Sequence, residues 1–330
     1  MVIERCALIL LCLIVKTYGV DTIDAACPPA EFITPCVCEY DFQGNYAIYE
    51  IYCKDTKIPY KFSDVRENIS IAMKGQPIVI LPLKFENLNI PRLYDEIFKD
   101  LKIAGLTLTD SSIEDISDNV FNGTEKYFIM LRIEKSNLKK IPVGALKNLT
   151  VFRVLIIKNS QITEISQLEM DQLSSTITLF NFDGNQINSI GKDVFAKFLS
   201  LEMLHLDDNM LSSFLMTTPK SLYFLSLQKN YLKFFPMNSS RTMEEGSAIY
   251  LIGNEITSLP SETSMKIILQ KNITVFLEGN DINCDCNTKW VLESQIELNK
   301  FIPIINCGQN SGKRSSKNVS QLTQEDYSDC

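Results

Sequence analysis

LEMLHLDDNMLSSFLMTTPKSLYFLSLQKNYL, residues 201–232, carries one phrase twice. Leu201, Leu204, Leu206, Asn209 and Leu211 fit the spacing LxxLxLxxNxL, and Leu222, Leu225, Leu227, Asn230 and Leu232 repeat it 21 residues later. A short strand with one apolar face cannot bury that face alone, so such a phrase implies stacking on like neighbours. Walking outward from Asn209, the same spacing reaches Asn230, Asn254 and Asn280 on one side. On the other it reaches Asn185, Ser160, Ser136, Ser111 and Glu86, and the nine anchors lie 21 to 26 residues apart.

A second set of apolar positions fixes the register. Five residues after the anchors stand Ile116, Ile141, Ile165, Ile190, Phe214, Phe235 and Leu259; ten after stand Phe121, Leu146, Met170 and Phe195. These fill the core from the return side, and Pro142, Pro236 and Pro260 follow where no ladder hydrogen bond is lost. Together they make the leucine-rich repeat signature. The expected fold is an α/β solenoid, a horseshoe with a concave parallel β-sheet and an irregular or short-helical convex side. An Asn at the anchor can turn inward and bond backbone groups at the bend. Ser has a shorter reach, which predicts a looser bend in the N-terminal half. Glu86 departs from the pattern, because a carboxylate is poorly accommodated in a buried slot.

Arg5, the apolar run Cys6–Val15 and Thr17-Tyr18-Gly19 have the layout of a secretory signal. The alternative, a membrane anchor, needs about 20 apolar residues. The domain reading is a signal peptide over 1–19, a cysteine-rich cap over 20–77, about nine repeats over 78–282 and a second cysteine-rich cap over 283–330. No later apolar run and no hydrophobic tail after Cys330 point to membrane insertion, so a secreted, extracellular chain is expected. A net charge of −8 argues against a nucleic-acid partner. Sequons begin at Asn68, Asn122, Asn148, Asn238, Asn272 and Asn318, each a candidate for glycosylation.

Cys6 and Cys12 belong to the leader, and the other eight cysteines divide four and four. Cys27, Cys36, Cys38 and Cys53 precede the repeats; Cys284, Cys286, Cys307 and Cys330 follow them. A four-cysteine zinc site is the competing reading, but an oxidising route and an even count favour disulfides. Spacing alone leaves the connectivity open. With the LxxLxLxxN phrases, the tail Cys284-x-Cys286, Trp290, Cys307 and Cys330 resembles extracellular leucine-rich repeat proteins with cysteine-rich caps. That resemblance implies the pairs Cys27–Cys38, Cys36–Cys53, Cys284–Cys307 and Cys286–Cys330. The opening Cys27-Pro28-Pro29 and Pro35-Cys36-Val37-Cys38 further resemble arthropod secreted proteins of the shrimp luciferase non-catalytic subunit type.

Strand residues between the buried leucines face the concave side. The column two before each anchor is largely charged, with Glu134, Lys158, Asp183 and Asp207. The middle column runs through Arg132, Ile156, Asn181, His205, Ser226, Tyr250 and Phe276. The outer column is apolar from Met130 to Phe224; either it supplies ligand anchors or the preceding loop covers it. An apolar stripe beside a charged one suits a protein ligand. Arg132, Glu134, Lys158, Asp183, Met203, His205, Asp207 and Phe224 are the nominated contacts.

His205 is the only histidine, which removes His-based triads and HExxH chemistry. Asp183, Asp207 and Asp208 admit a calcium reading, but acidic residues in these columns are ordinarily solvated ladder residues. No phosphate-cradling loop or nucleophile elbow is present, and Lys313-Arg314 with Lys317 is too short a basic run for a polyanion. No enzyme activity, metal or cofactor is expected. The leading reading is a secreted, non-enzymatic module that holds a protein or peptide. The resemblance implies a second, a supporting subunit of a secreted luciferase-like oxygenase complex; a third is the ectodomain of a truncated receptor.

Overall fold

Apolar residues at every second position make each phrase a short strand with one buried face. The computed structural model describes residues 30–34, 36–43, 46–54, 82–99, 101–293, 302 and 305–330. The leader, Cys27, Asn68 and Ile78 to Leu81 lie outside them. The chain divides into two compact units, Met1–Gln161 with Gln172–Ile177, and Ile162–Asp171 with Thr178–Cys330.

In the first unit the described strands are β1 (Val37–Gln43), β2 (Tyr46–Lys54), β3 (Pro82–Glu86), β4 (Arg92–Leu93), β5 (Gly105–Thr109), β6 (Asp115–Ile116), β7 (Met130–Glu134) and β8 (Val154–Lys158). β1 and β2 form an antiparallel hairpin, and β2, β3, β5, β7 and β8 follow in parallel. β4 and β6 pair on the return side. The second unit has β9 (Glu164–Ile165), β10 (Leu179–Asn181), β11 (Ser189–Ile190), β12 (Met203–His205), β13 (Phe224–Ser226), β14 (Ala248–Tyr250) and β15 (Thr274–Phe276). β10, β12, β13, β14 and β15 run parallel, each one repeat on from the last. Short helices at Val143–Leu146, Gln167–Met170, Met237–Thr242 and Glu262–Gln270 make up part of the return side.

Leu204, Leu206, Leu225 and Leu227 are fully buried, as the repeat phrase demands. In the first unit a row of rings, Phe98, Phe121, Phe128 and Phe152, lines the core, with successive centroids 4.1 to 6.2 Å apart. In the second, Phe180 packs against Phe182, Phe195 and Phe198.

The first repeat is set two residues away from the expected register. β3 pairs Pro82 with Gly105 and Glu86 with Thr109, so the anchor slot falls on Leu88, which is buried. Glu86 instead stands on the strand face, where Tyr52 Oη donates to it at 2.5 Å and Lys54 Nζ lies 3.2 Å away. Those two contacts, Tyr52 first, hold its carboxyl below the usual range.

The residue before each anchor slot has a positive φ: Asn87, Asp110, Lys135, Asn159, Gly184, Asp208, Lys229, Gly253 and Gly279. This left-handed bend, favoured by Gly, Asn and Asp, turns every coil off its strand. Its φ spans 49° to 58° in the first unit and 50° to 72° in the second, so the looser N-terminal bend expected from Ser is not seen in the backbone. The difference lies in the side chains. Asn230 Nδ2 donates to the carbonyl oxygens of Leu227 and, one repeat back, Leu206, while its Oδ1 accepts from Leu211 N. Asn209, Asn254 and Asn280 reach back in the same way. Ser136 and Ser160 bond to each other at 2.9 Å, and Ser111 Oγ has no hydrogen-bond partner.

Disulfides hold both ends. Cys36 is bonded to Cys53, Cys284 to Cys307 and Cys286 to Cys330. Cys38 is also disulfide-bonded. Arg314 is buried in the C-terminal cap: Nε donates to Cys284 O at 2.5 Å, Nη1 to Asp326 O and to Asp329 Oδ1, and its guanidinium lies 4.9 Å from the Tyr327 ring centroid. The basic run is thus spent internally, since Lys317 pairs with Asp326 and Lys313 donates to Glu325 O and Ser328 Oγ.

Candidate functional site

The parallel register places the residues two, four and six before each anchor on one face of each unit's sheet. On the first unit, Arg132 and Glu134 of β7 form an ion pair at 2.8 Å, and Lys158 of β8 stands in register with Glu134. All three are half-buried. The outer column here is covered, with Met130 8% and Val154 1% exposed.

The other nominated residues lie on the second unit, and two of them need correction as contacts. Met203 is 6% and His205 1% exposed, so they pack inside the face. Met203 begins its strand, where its backbone N–H donates to Thr178 O of the preceding repeat. His205 is enclosed by the Phe224 ring, 4.7 Å away, and by the carboxylates of Asp183 and Asp207. Asn181 and Ser226 in the same column are equally buried.

One ring nitrogen of His205 and one carboxylate oxygen each from Asp183 and Asp207 lie within 4.8 Å of one another. Hydrogen bonds between repeats occupy these carboxylates. Asp183 Oδ1 accepts from Asp207 N at 2.8 Å. Asp207 Oδ1 accepts from Ser226 Oγ and Gln228 N, and its Oδ2 from Gln228 Nε2. Burial pushes the Asp207 carboxyl above the usual range and Asp183 adds to this, against the Ser226 and Gln228 bonds.

Towards the last repeats the face opens. Phe224, Ala248, Tyr250, Ile252, Thr274, Phe276 and Glu278 are all half-buried. His205, Phe224, Tyr250 and Phe276 form a continuous row of rings, with centroids 4.7, 5.0 and 4.4 Å apart. Of these, only Phe224 and His205 are among the nominated contacts. Adjacent aromatics at Tyr250 and Phe276 in the middle column were the available signal for the rest. Of the sequons described, Asn148, Asn238 and Asn272 are exposed, Asn122 and Asn318 are half-buried, and none lies on the strand face.

No family model matches the chain. A segment of 135 residues, 40% of this chain, is 34% identical to bovine fibromodulin and spans 34% of that protein's length. Over 319 residues the chain is 24% identical to the Oplophorus-luciferin 2-monooxygenase non-catalytic subunit of Oplophorus gracilirostris, covering 88% of this chain and 85% of that one. Among solved structures, a chain of the octameric complex of Latrophilin 3, Unc5D and FLRT2 (LRR) superposes with a TM-score of 0.63. That superposition covers 84% of this chain and 90% of the other at 17% identity, a likeness of fold.

Proposed function

Because this chain is a leucine-rich repeat protein with disulfide-bonded ends, we propose that it is a secreted, non-enzymatic module that holds a protein partner on its strand face. The observation that carries this reading is the half-buried row Phe224, Tyr250 and Phe276. Aromatic rings at the surface offer large contact area at low entropic cost and are enriched where proteins bind. Disulfides in both caps and the likeness to fibromodulin support an extracellular setting. The nominated Asp183, Asp207 and Phe224 flank or join this row; Arg132, Glu134 and Lys158 form a separate charged group on the first unit.

The test is retention of the partner that co-purifies from the native secretion. Phe276→Ala should lower retention by about tenfold, the cost of one well-placed aromatic anchor, with the melting temperature little changed. Unchanged retention in Phe276→Ala and Tyr250→Ala would remove the face from consideration.

The similarity to the luciferin monooxygenase non-catalytic subunit over 88% of the chain supports a second reading, that the partner is an enzyme this chain accompanies. Purification from the native secretion separates the two. A constant one-to-one oxygenase favours the second; any other partner favours the first alone.

A further inference from the structure

Resting on the reading of the strand face as a binding surface, we infer that its C-terminal part takes a basic segment of the partner protein. An arginine or lysine stem lies along Tyr250 and Phe276 and sets its charge at Glu278.

Charge argues it first. The second unit presents fifteen face positions over five strands, at which Asp183, Asp207 and Glu278 are acidic and none is Lys or Arg. The first unit's face differs, carrying Lys84, Arg132 and Lys158 against Glu86 and Glu134. Complementary potentials set which partner docks and in what register, and like charge at such a face is costly.

The geometry of the last two repeats argues it second. Tyr250 and Phe276 stack at 4.4 Å with planes 10° apart, and Glu278 follows Phe276 by two residues on the same face. Glu278 Oε2 is buried without a hydrogen-bond partner. A carboxylate oxygen left so is a standing cost that an N–H donor relieves. Long basic side chains bury an apolar stem and keep a charged head outside, and a guanidinium both stacks on rings and forks onto a carboxylate. An apolar anchor would use the rings and leave Glu278 unsatisfied. An acidic one would set like charge against Glu278 itself.

The experiment titrates the full-length protein with three fluorescent Gly-Ser peptides bearing arginine, glutamate or leucine, followed by polarisation at low ionic strength. The arginine peptide should bind about tenfold more tightly than the others and weaken several-fold in Glu278→Gln, the size expected for losing one charge-assisted contact. Tyr250→Leu, which keeps an apolar side chain at that position, should weaken it as well. If leucine or glutamate peptides bind as tightly, and Tyr250→Leu weakens them, the basic-segment inference falls and the binding face stands. If Tyr250→Leu alters no peptide, both fall. No arginine-peptide binding, or binding indifferent to Glu278→Gln, overturns the inference.

Discussion

At the scale of single residues, the Asn anchors do the most for their size. Asn230 satisfies one buried backbone N–H and carbonyls in two repeats at once. Asn230→Ala leaves the buried Leu211 N–H unpaired, while Leu206 O and Leu227 O keep donors from Asn209 and Asn254, for a loss of about 1–3 kcal/mol. Ser111→Ala removes a hydroxyl without a partner and should change stability by less than about 0.5 kcal/mol. Chemical denaturation of both variants checks the pair; equal losses would mean the Asn ladder is ornamental. These anchors were legible because only Asn and Ser recur at that spacing. Glu86 misled for the same reason: Leu88 occupies the true slot, so the phrase has no polar marker there, and the surviving clue is Asn87 at the left-handed bend.

Among elements, the strands were read with ease and the caps with difficulty. Strand positions follow from a period that repeats; cap geometry depends on single long-range contacts that no period announces. The basic run Lys313-Arg314 with Lys317 looks like a surface patch in the sequence, yet Arg314 is buried and Lys317 lies 2.5 Å from Asp326. Lys317, with backbone and hydroxyl donors from Thr323, lowers the Asp326 pKa from 3.8 to about 2. A lowered carboxyl adds stability above its ordinary range and loses it as pH falls through the folded value. The stability gap between wild type and Asp326→Asn should therefore be full at neutral pH and shrink between about pH 4 and 2. Thermal melts over that window check it, and a gap independent of pH would contradict the ion pair. The openness of the strand face was harder still to foresee. Register fixes which side a residue faces, but whether neighbours close over it depends on side-chain sizes. Thus Met203 and His205 are covered, whereas Tyr250 and Phe276 are not.

On the scale of the whole molecule, we propose a surface that grips a partner and carries out no reaction. The sheet invests its polar side chains in tying repeats together, as Asp183, Asp207 and Ser226 do, and leaves aromatic area open at the last strands of the second unit. The most direct measurement places a photocrosslinking benzoylphenylalanine at Phe276 and, separately, at Leu168, which is 78% exposed on a return-side helix. Each full-length variant is then irradiated in the native secretion. The account predicts a covalent adduct with one partner protein from position 276 and none from 168. Adducts from 168 with none from 276 would place the binding surface elsewhere and contradict it.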